Sequence, residues 1–132
     1  MRPGARLMTR LKRILIVDDS DDSRYILGVT LDRSRGYETI EAANGSEAIK
    51  KAISEKPDLI IMDLGLPGIS GVDATKVIKN NSTTAHIPII AHTVWPADSC
   101  KEDALNAGMV DYLEKPVSMK LMKETIEKFI PH

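Results

Sequence analysis

One cysteine, one phenylalanine and one tryptophan among 132 residues set the first limits on this chain. A lone thiol, Cys100, cannot build an internal disulfide framework, which removes the small secreted scaffolds and suits a reducing compartment. Long apolar runs are also missing. No stretch approaches the roughly 20 residues that cross a bilayer, and no basic start, apolar stretch and small-residue cleavage site marks a signal peptide. The expectation is a cytoplasmic protein without membrane insertion. Neither G-x-x-x-x-G-K-[ST] nor G-x-G-x-x-G occurs, so the glycine-rich nucleotide loops are excluded. His86, His92 and His132 have no metal-ligand spacing with one another or with Cys100, and each reads as a structural or surface histidine.

Acid is absent from the first 13 residues, which carry Arg2, Arg6, Arg10, Lys12 and Arg13. The formal charge is −1, leaving the remainder at −6 once those five positive charges are set aside. A basic arm can mark a nucleic-acid partner, but this one contains Pro3 and Gly4 and no interleaved aromatics. It reads as a frayed N-terminal extension over residues 1–10, with Met8 as an alternative start, and no direct DNA binding is expected. Residues 11–130 are long enough for one domain with a single substantial core.

Short apolar runs alternate with helical patterns five times, which predicts an α/β fold with a parallel sheet and helices on both faces. Strands are expected over Arg13–Val17, Tyr37–Ala42, Leu59–Asp63, Ile87–Thr93 and Val110–Glu114. Between them, the first helix runs from about Asp21 to Leu31, with Tyr25, Leu27 or Val29, and Leu31 as its buried stripe and Asp21 and Asp22 as caps. Asn44 and Glu47 form a capping box for a second helix to about Lys56, with Ala48, Ile49, Ala52 and Ile53 inward. The third helix ends near Asn80, the fourth spans about Pro96–Ala107, and the fifth runs from Ser118 to Phe129.

Carboxylates terminate two of these strands: Asp18 and Asp19 follow Ile14–Val17, and Asp63 follows Leu59–Met62. Thr93 and Lys115 end two more. Open parallel sheets place their sites in the crevice at the carboxyl ends of the strands, so five polar groups converge there. Packed anions repel and raise one another's pKa values unless a cation joins them, which points to a hard divalent metal with oxygen ligands and a phosphoryl group.

These motifs identify a resemblance. Val17-Asp18-Asp19, Met62-Asp63-Leu64 with Leu66-Pro67-Gly68 and Gly71, Thr93, and Tyr112 before Lys115-Pro116 resemble the receiver domain of two-component response regulators, CheY-like and of the stand-alone type. The resemblance covers about Leu11 to Phe129. It implies a flavodoxin-like doubly wound sheet of strand order 2-1-3-4-5 with five helices, a fold for which a member of this family is a standard example. It further implies Asp63 as the phosphoacceptor, attacking a phosphohistidine of a sensor histidine kinase or histidine phosphotransfer protein. Asp19, Asp63 and the Gly65 carbonyl resemble direct Mg²⁺ ligands, with Mn²⁺ as an acceptable substitute, and Asp18 acts through water. Lys115 is the phosphoryl partner, Thr93 the switch hydroxyl and Tyr112 the switch aromatic, which turns inward as Thr93 moves. The face built from the fourth helix, fifth strand and fifth helix is then remodelled for a downstream protein in a phosphorelay, and homodimerisation on phosphorylation is compatible with the pattern. The Lys115-Pro116 bond resembles the family's cis peptide.

Three positions depart from that pattern. His92 stands where an apolar residue is usual, and Val94 and Trp95 are bulkier than their counterparts, so both are expected to slow attack by water on a phosphorylated Asp63. Gly65 bears on the competing reading of a small Mg²⁺-dependent phosphohydrolase, because related enzymes place a second Asp two residues after the nucleophile as general acid and base. With glycine there, turnover of external substrates is not expected. A degenerate receiver that binds partners without phosphate is the third reading, and the presence of every reactive residue argues against it.

Overall fold

Segments such as Ile14–Val17 and Leu59–Met62 have no polar face to turn toward water, so they are stable only when covered on both sides. In the computed structural model, which describes residues 11–130, those eight side chains are at most 1% exposed. The basic extension expected over residues 1–10 lies outside the described residues. The elements run β1 Lys12–Val17, α1 Asp21–Arg35, β2 Tyr37–Ala42, α2 Gly45–Glu55, β3 Leu59–Met62, α3 Gly71–Lys79, β4 Ile89–Thr93, α4 Ala97–Ala107, β5 Asp111–Glu114 and α5 Met119–Phe129. All strand pairs are parallel, in the order β2-β1-β3-β4-β5, which is the expected flavodoxin-like arrangement. No helix among the described residues is long and apolar enough to cross a membrane.

Strand alternation divides the interior into two cores. Leu15, Val17, Ile60, Met62, Ile89 and Ala91 pack with Ala48, Ala52, Ala74, Ile78 and Ala104 from α2, α3 and α4. On the other face Ile14, Ile16, Leu59, Ile61, Ile90 and Leu113 pack with Leu27, Leu31, Met122 and Ile126 from α1 and α5. Each large aliphatic side chain withdrawn from water in this way contributes about 1.5–3 kcal/mol. The register aligns Val17 with Met62, Met62 with Ala91, and Thr93 with Glu114, so the carboxyl ends of four strands lie level.

Side-chain caps fix where the helices begin. Ser20, Asn44, Ser70 and Ser118 accept from backbone N–H groups three residues on, and so define the starts of α1, α2, α3 and α5. The cap of α1 is therefore Ser20 rather than Asp21 or Asp22; those acids occupy the first turn, where the helix dipole favours them. Glu47 completes a capping box of shifted register, since its carboxylate accepts from Ala43 N at 2.9 Å rather than from the cap residue itself. Two expected core positions also face outward. Tyr25 is 68% and Ile53 42% exposed, because Leu27 with Leu31 and Ala48 with Ala52 already fill the narrow faces against the sheet.

The turn after β3 closes with Gly71, whose N–H bonds Leu64 O at 3.0 Å. A Cβ at this position would stand 2.1 Å from the Asp63 carbonyl oxygen, a contact relieved only by moving backbone. Gly71→Ala is therefore expected to destabilise the protein by about 1–3 kcal/mol in urea unfolding and to displace the Asp63 turn; an unchanged unfolding midpoint would contradict the close approach.

Candidate functional site

Alternation continued one residue past each strand decides which groups meet. Val17 and Met62 belong to the α2–α4 side, so the next residues, Asp18 and Asp63, emerge toward α1 and α5; Lys115, two positions after Leu113, has the same parity. The backbone ladder reaches these residues through Asp63 N to Val17 O at 2.9 Å, Asp18 N to Ala42 O at 3.1 Å and Lys115 N to Thr93 O at 2.7 Å. Asp18 and Asp63 thus meet, and with Asp19, which follows Asp18, each offers a carboxylate oxygen within 4.8 Å of the others.

Lys115 closes the cluster. Its Nζ donates to Asp18 Oδ2 at 2.8 Å and to Asp63 Oδ2 at 3.4 Å. Burial works against the ammonium, but the Asp18 hydrogen bond and the fields of Asp63 and Asp18 outweigh it, and its pKa is raised. The Lys115–Pro116 peptide bond that follows is cis. Asp18 has both oxygens engaged, since Oδ1 accepts from Ser20 N at 2.9 Å. Among the described residues Asp63 Oδ1 receives only the Gly65 N–H, at 3.2 Å, and Asp19 is exposed. Donors that are all oxygen, with net negative charge and two carboxylates not fully engaged, fit a hard divalent cation such as Mg²⁺.

Thr93 and Tyr112 are placed differently. Thr93 is fully buried, and its Oγ1 accepts from Trp95 N at 3.2 Å; no hydrogen bond joins it to the carboxylates among the described residues. The Tyr112 ring is only 7% exposed, and its hydroxyl donates to the Trp95 carbonyl at 2.8 Å. Burial, followed by the proximity of Cys100, pushes that phenol up to about 12. Glu114 accepts from Ala97 N at 3.0 Å, supplying α4 with the cap that its own Pro96 lacks. The segment from Thr93 to Ala97 is thus fastened to β5 and Lys115 at three points. The Trp95 indole lies on Gly65, where an added Cβ would come within 3.1–3.2 Å of the ring.

Two residues near the cluster were not assigned roles from sequence. Arg24 donates to the Asp18 carbonyl at 2.6 Å; a cation in the first turns of a helix, against the dipole and after a run of acids, was the available signal. His92 follows Ala91 and so shares the parity of Asp63. It lines a cleft of about 310 Å³ with Asp18, Lys115, Ile26, Val117 and Met122. Burial, then the field of Lys115, lowers its pKa to about 4, with Asp18 and Asp63 opposing.

The response regulator receiver domain family model matches residues 14–127. The polar-differentiation response regulator DivK of Brucella anthropi is 36% identical over 119 residues, covering 90% of this chain and 96% of that protein. PilH of Pseudomonas aeruginosa is 36% identical over 116 residues, covering 88% and 95%. Among solved structures, the receiver domain of a Pseudomonas aeruginosa sensor histidine kinase, with magnesium coordinated in its active site cleft, superposes with a TM-score of 0.83 at 31% identity over 92% of this chain and 99% of that one. TrrA of Thermotoga maritima, in complex with Mg²⁺–BeF, gives 0.80 at 33% identity over 91% and 100%.

His92 makes stability depend on pH with a definite sign. Its folded pKa of about 4 lies below the ordinary 6.5, so the unfolded chain binds the proton first as pH falls. The contribution is intact above pH 6.5 and is lost between there and about 4, by at most about 3 kcal/mol. Metal-free urea unfolding of His92→Leu should show a shallower acid loss than the unsubstituted protein over that window; parallel curves would refute the assignment.

Proposed function

This chain belongs to the response regulator receiver domain family, and on that premise we propose that it accepts a phosphoryl group on Asp63 and transmits the event to a protein partner. The observation that carries the reading is the placement of Asp63 beside Asp18, Asp19 and Lys115 in one crevice. An oxygen of Asp63 attacks the phosphorus of a phosphohistidine; the O–P bond forms as the N–P bond breaks, and the electron pair returns to the imidazole. Lys115 already contacts Asp63 and is positioned to follow its charge onto the phosphoryl oxygens as a point-charge donor. Asp19 and Asp63, with the Gly65 carbonyl, would hold Mg²⁺, and Asp18, whose oxygens are already engaged, would act through water. The ion, when bound, supplies electrostatic compensation for the transferring group.

The donor is a sensor histidine kinase or a histidine phosphotransfer protein. Ile26, 63% exposed and lining the cleft with Asp18 and Lys115, and its neighbour on α1, Tyr25, 68% exposed, offer it an apolar docking edge. Downstream, Thr93 would turn to donate its O–H to a phosphoryl oxygen, drawing Oγ1 away from the Trp95 N–H it now accepts from and loosening the segment that Tyr112 and Glu114 fasten. The α4-β5-α5 face would change as a consequence, and with it affinity for a cytoplasmic target. The phosphohydrolase reading is disfavoured by Gly65, because a second carboxylate there has no room unless the indole moves.

Incubation with Mg²⁺ and acetyl phosphate should add one phosphoryl mass to the intact protein and none to Asp63→Asn; no adduct with acetyl phosphate or a phosphorylated kinase domain would overturn the reading. Trp95 and Val94 bear on how long the adduct lasts. With the indole resting on Gly65, Trp95→Ala is expected to shorten the phosphorylated lifetime several-fold, and Val94→Ala to a lesser degree. Equal decay of all three proteins in a time course would refute that shielding.

A further inference from the structure

Arg24 occupies a position that elementary electrostatics disfavours. It lies four residues after the Ser20 cap of α1, where the helix dipole opposes a cation, and its side chain is only 11% exposed. Its fork nevertheless reaches three elements. Nη1 donates to the Asp18 carbonyl at 2.6 Å, Nε to Glu41 Oε1 at 2.9 Å beyond β1, and Nη2 to Asp21. Burial acts against the guanidinium charge, and the Glu41 and Asp21 hydrogen bonds more than restore it.

The carbonyl that Arg24 grips belongs to the peptide joining Asp18 to Asp19. Asp18 has further anchors, through Ala42 O, Ser20 N and Lys115 Nζ. Asp19 has none: among the described residues no hydrogen bond or ion pair holds its carboxylate, and the residue is exposed. The direction of Asp19 therefore depends on the orientation of the peptide plane that precedes it. We propose that Arg24 is a positioning residue for the divalent-cation site, holding that plane so that the Asp19 carboxylate meets Asp63. The inference rests on the metal-binding reading of the carboxylate cluster.

Charge and positioning predict opposite outcomes, which makes the assignment testable. If Arg24 acted only as a nearby positive charge, its removal would tighten cation binding, and replacement by lysine would change nothing. If it positions Asp19, Arg24→Met weakens Mg²⁺ binding several-fold. Arg24→Lys weakens it less, because a single ammonium cannot reproduce the three-way fork. The measurement is a calorimetric titration of the metal-free full chain with Mg²⁺, with urea unfolding of each metal-free variant alongside. Should Arg24→Met fail to fold, Arg24→Lys, which keeps the charge, carries the comparison. Mg²⁺ affinity unchanged in Arg24→Lys, or unchanged or tighter in Arg24→Met, overturns the positioning role while leaving the cluster a metal site. No Mg²⁺ binding by the unsubstituted protein, or full binding by Asp19→Asn, overturns the metal reading and this inference together.

Discussion

Three carboxylates confined within 4.8 Å of one another repel, and the rest of the structure is organised around holding them there. Like charges at that separation raise one another's pKa unless cations or donors intervene. The protein supplies both: Lys115 bridges Asp18 and Asp63, and backbone N–H groups of Ser20 and Gly65 cover an oxygen of each. None of these partners is a local neighbour of all three acids. They meet because a fully parallel sheet brings four strand ends level, and because two apolar cores keep that sheet from sliding. A slip of one residue in any strand would exchange its faces and send its carboxylate to the wrong side.

Parity also divides the labour between the two sides of the sheet. Residues emerging toward α1 and α5 include Asp18, Asp63, His92 and Lys115, which share the charge chemistry. Residues of opposite parity, Thr93, Tyr112 and Glu114, make uncharged or capping contacts along the segment leading into α4. The strand end is therefore a two-sided junction. Single backbone positions join the two sides, above all residue 93, whose carbonyl takes the Lys115 N–H while its hydroxyl takes the Trp95 N–H.

Much of this was legible in the amino-acid order because it depends on periodicity and on residue type. Fully apolar runs followed by acids announce buried parallel strands with a crevice at their ends, and the motif spacing pointed to the family and its strand order. Less could be read where a role depends on distant geometry. Tyr25 and Ile53 fit a helical stripe as well as their neighbours do, and only the width of the groove against the sheet excludes them. Arg24 looks like any surface arginine until α1 is docked beside β2. The bulk of Trp95 was visible, but its contact with Gly65, thirty positions earlier, arises from packing between loops. Asp21 and Asp22 show the same limit at short range, since Ser20 is a competent cap one residue earlier.

The start of α4 is secured by Glu114 on a neighbouring strand rather than by a residue of its own. That borrowed cap has an evolutionary consequence. A helix that carries its own cap can exchange its whole sequence to suit a new partner, whereas α4 shares its first turn with the residue immediately before Lys115. Divergence of the α4 surface is thereby constrained by the strand that leads into Lys115, so that this helix and the carboxylate cluster cannot vary independently.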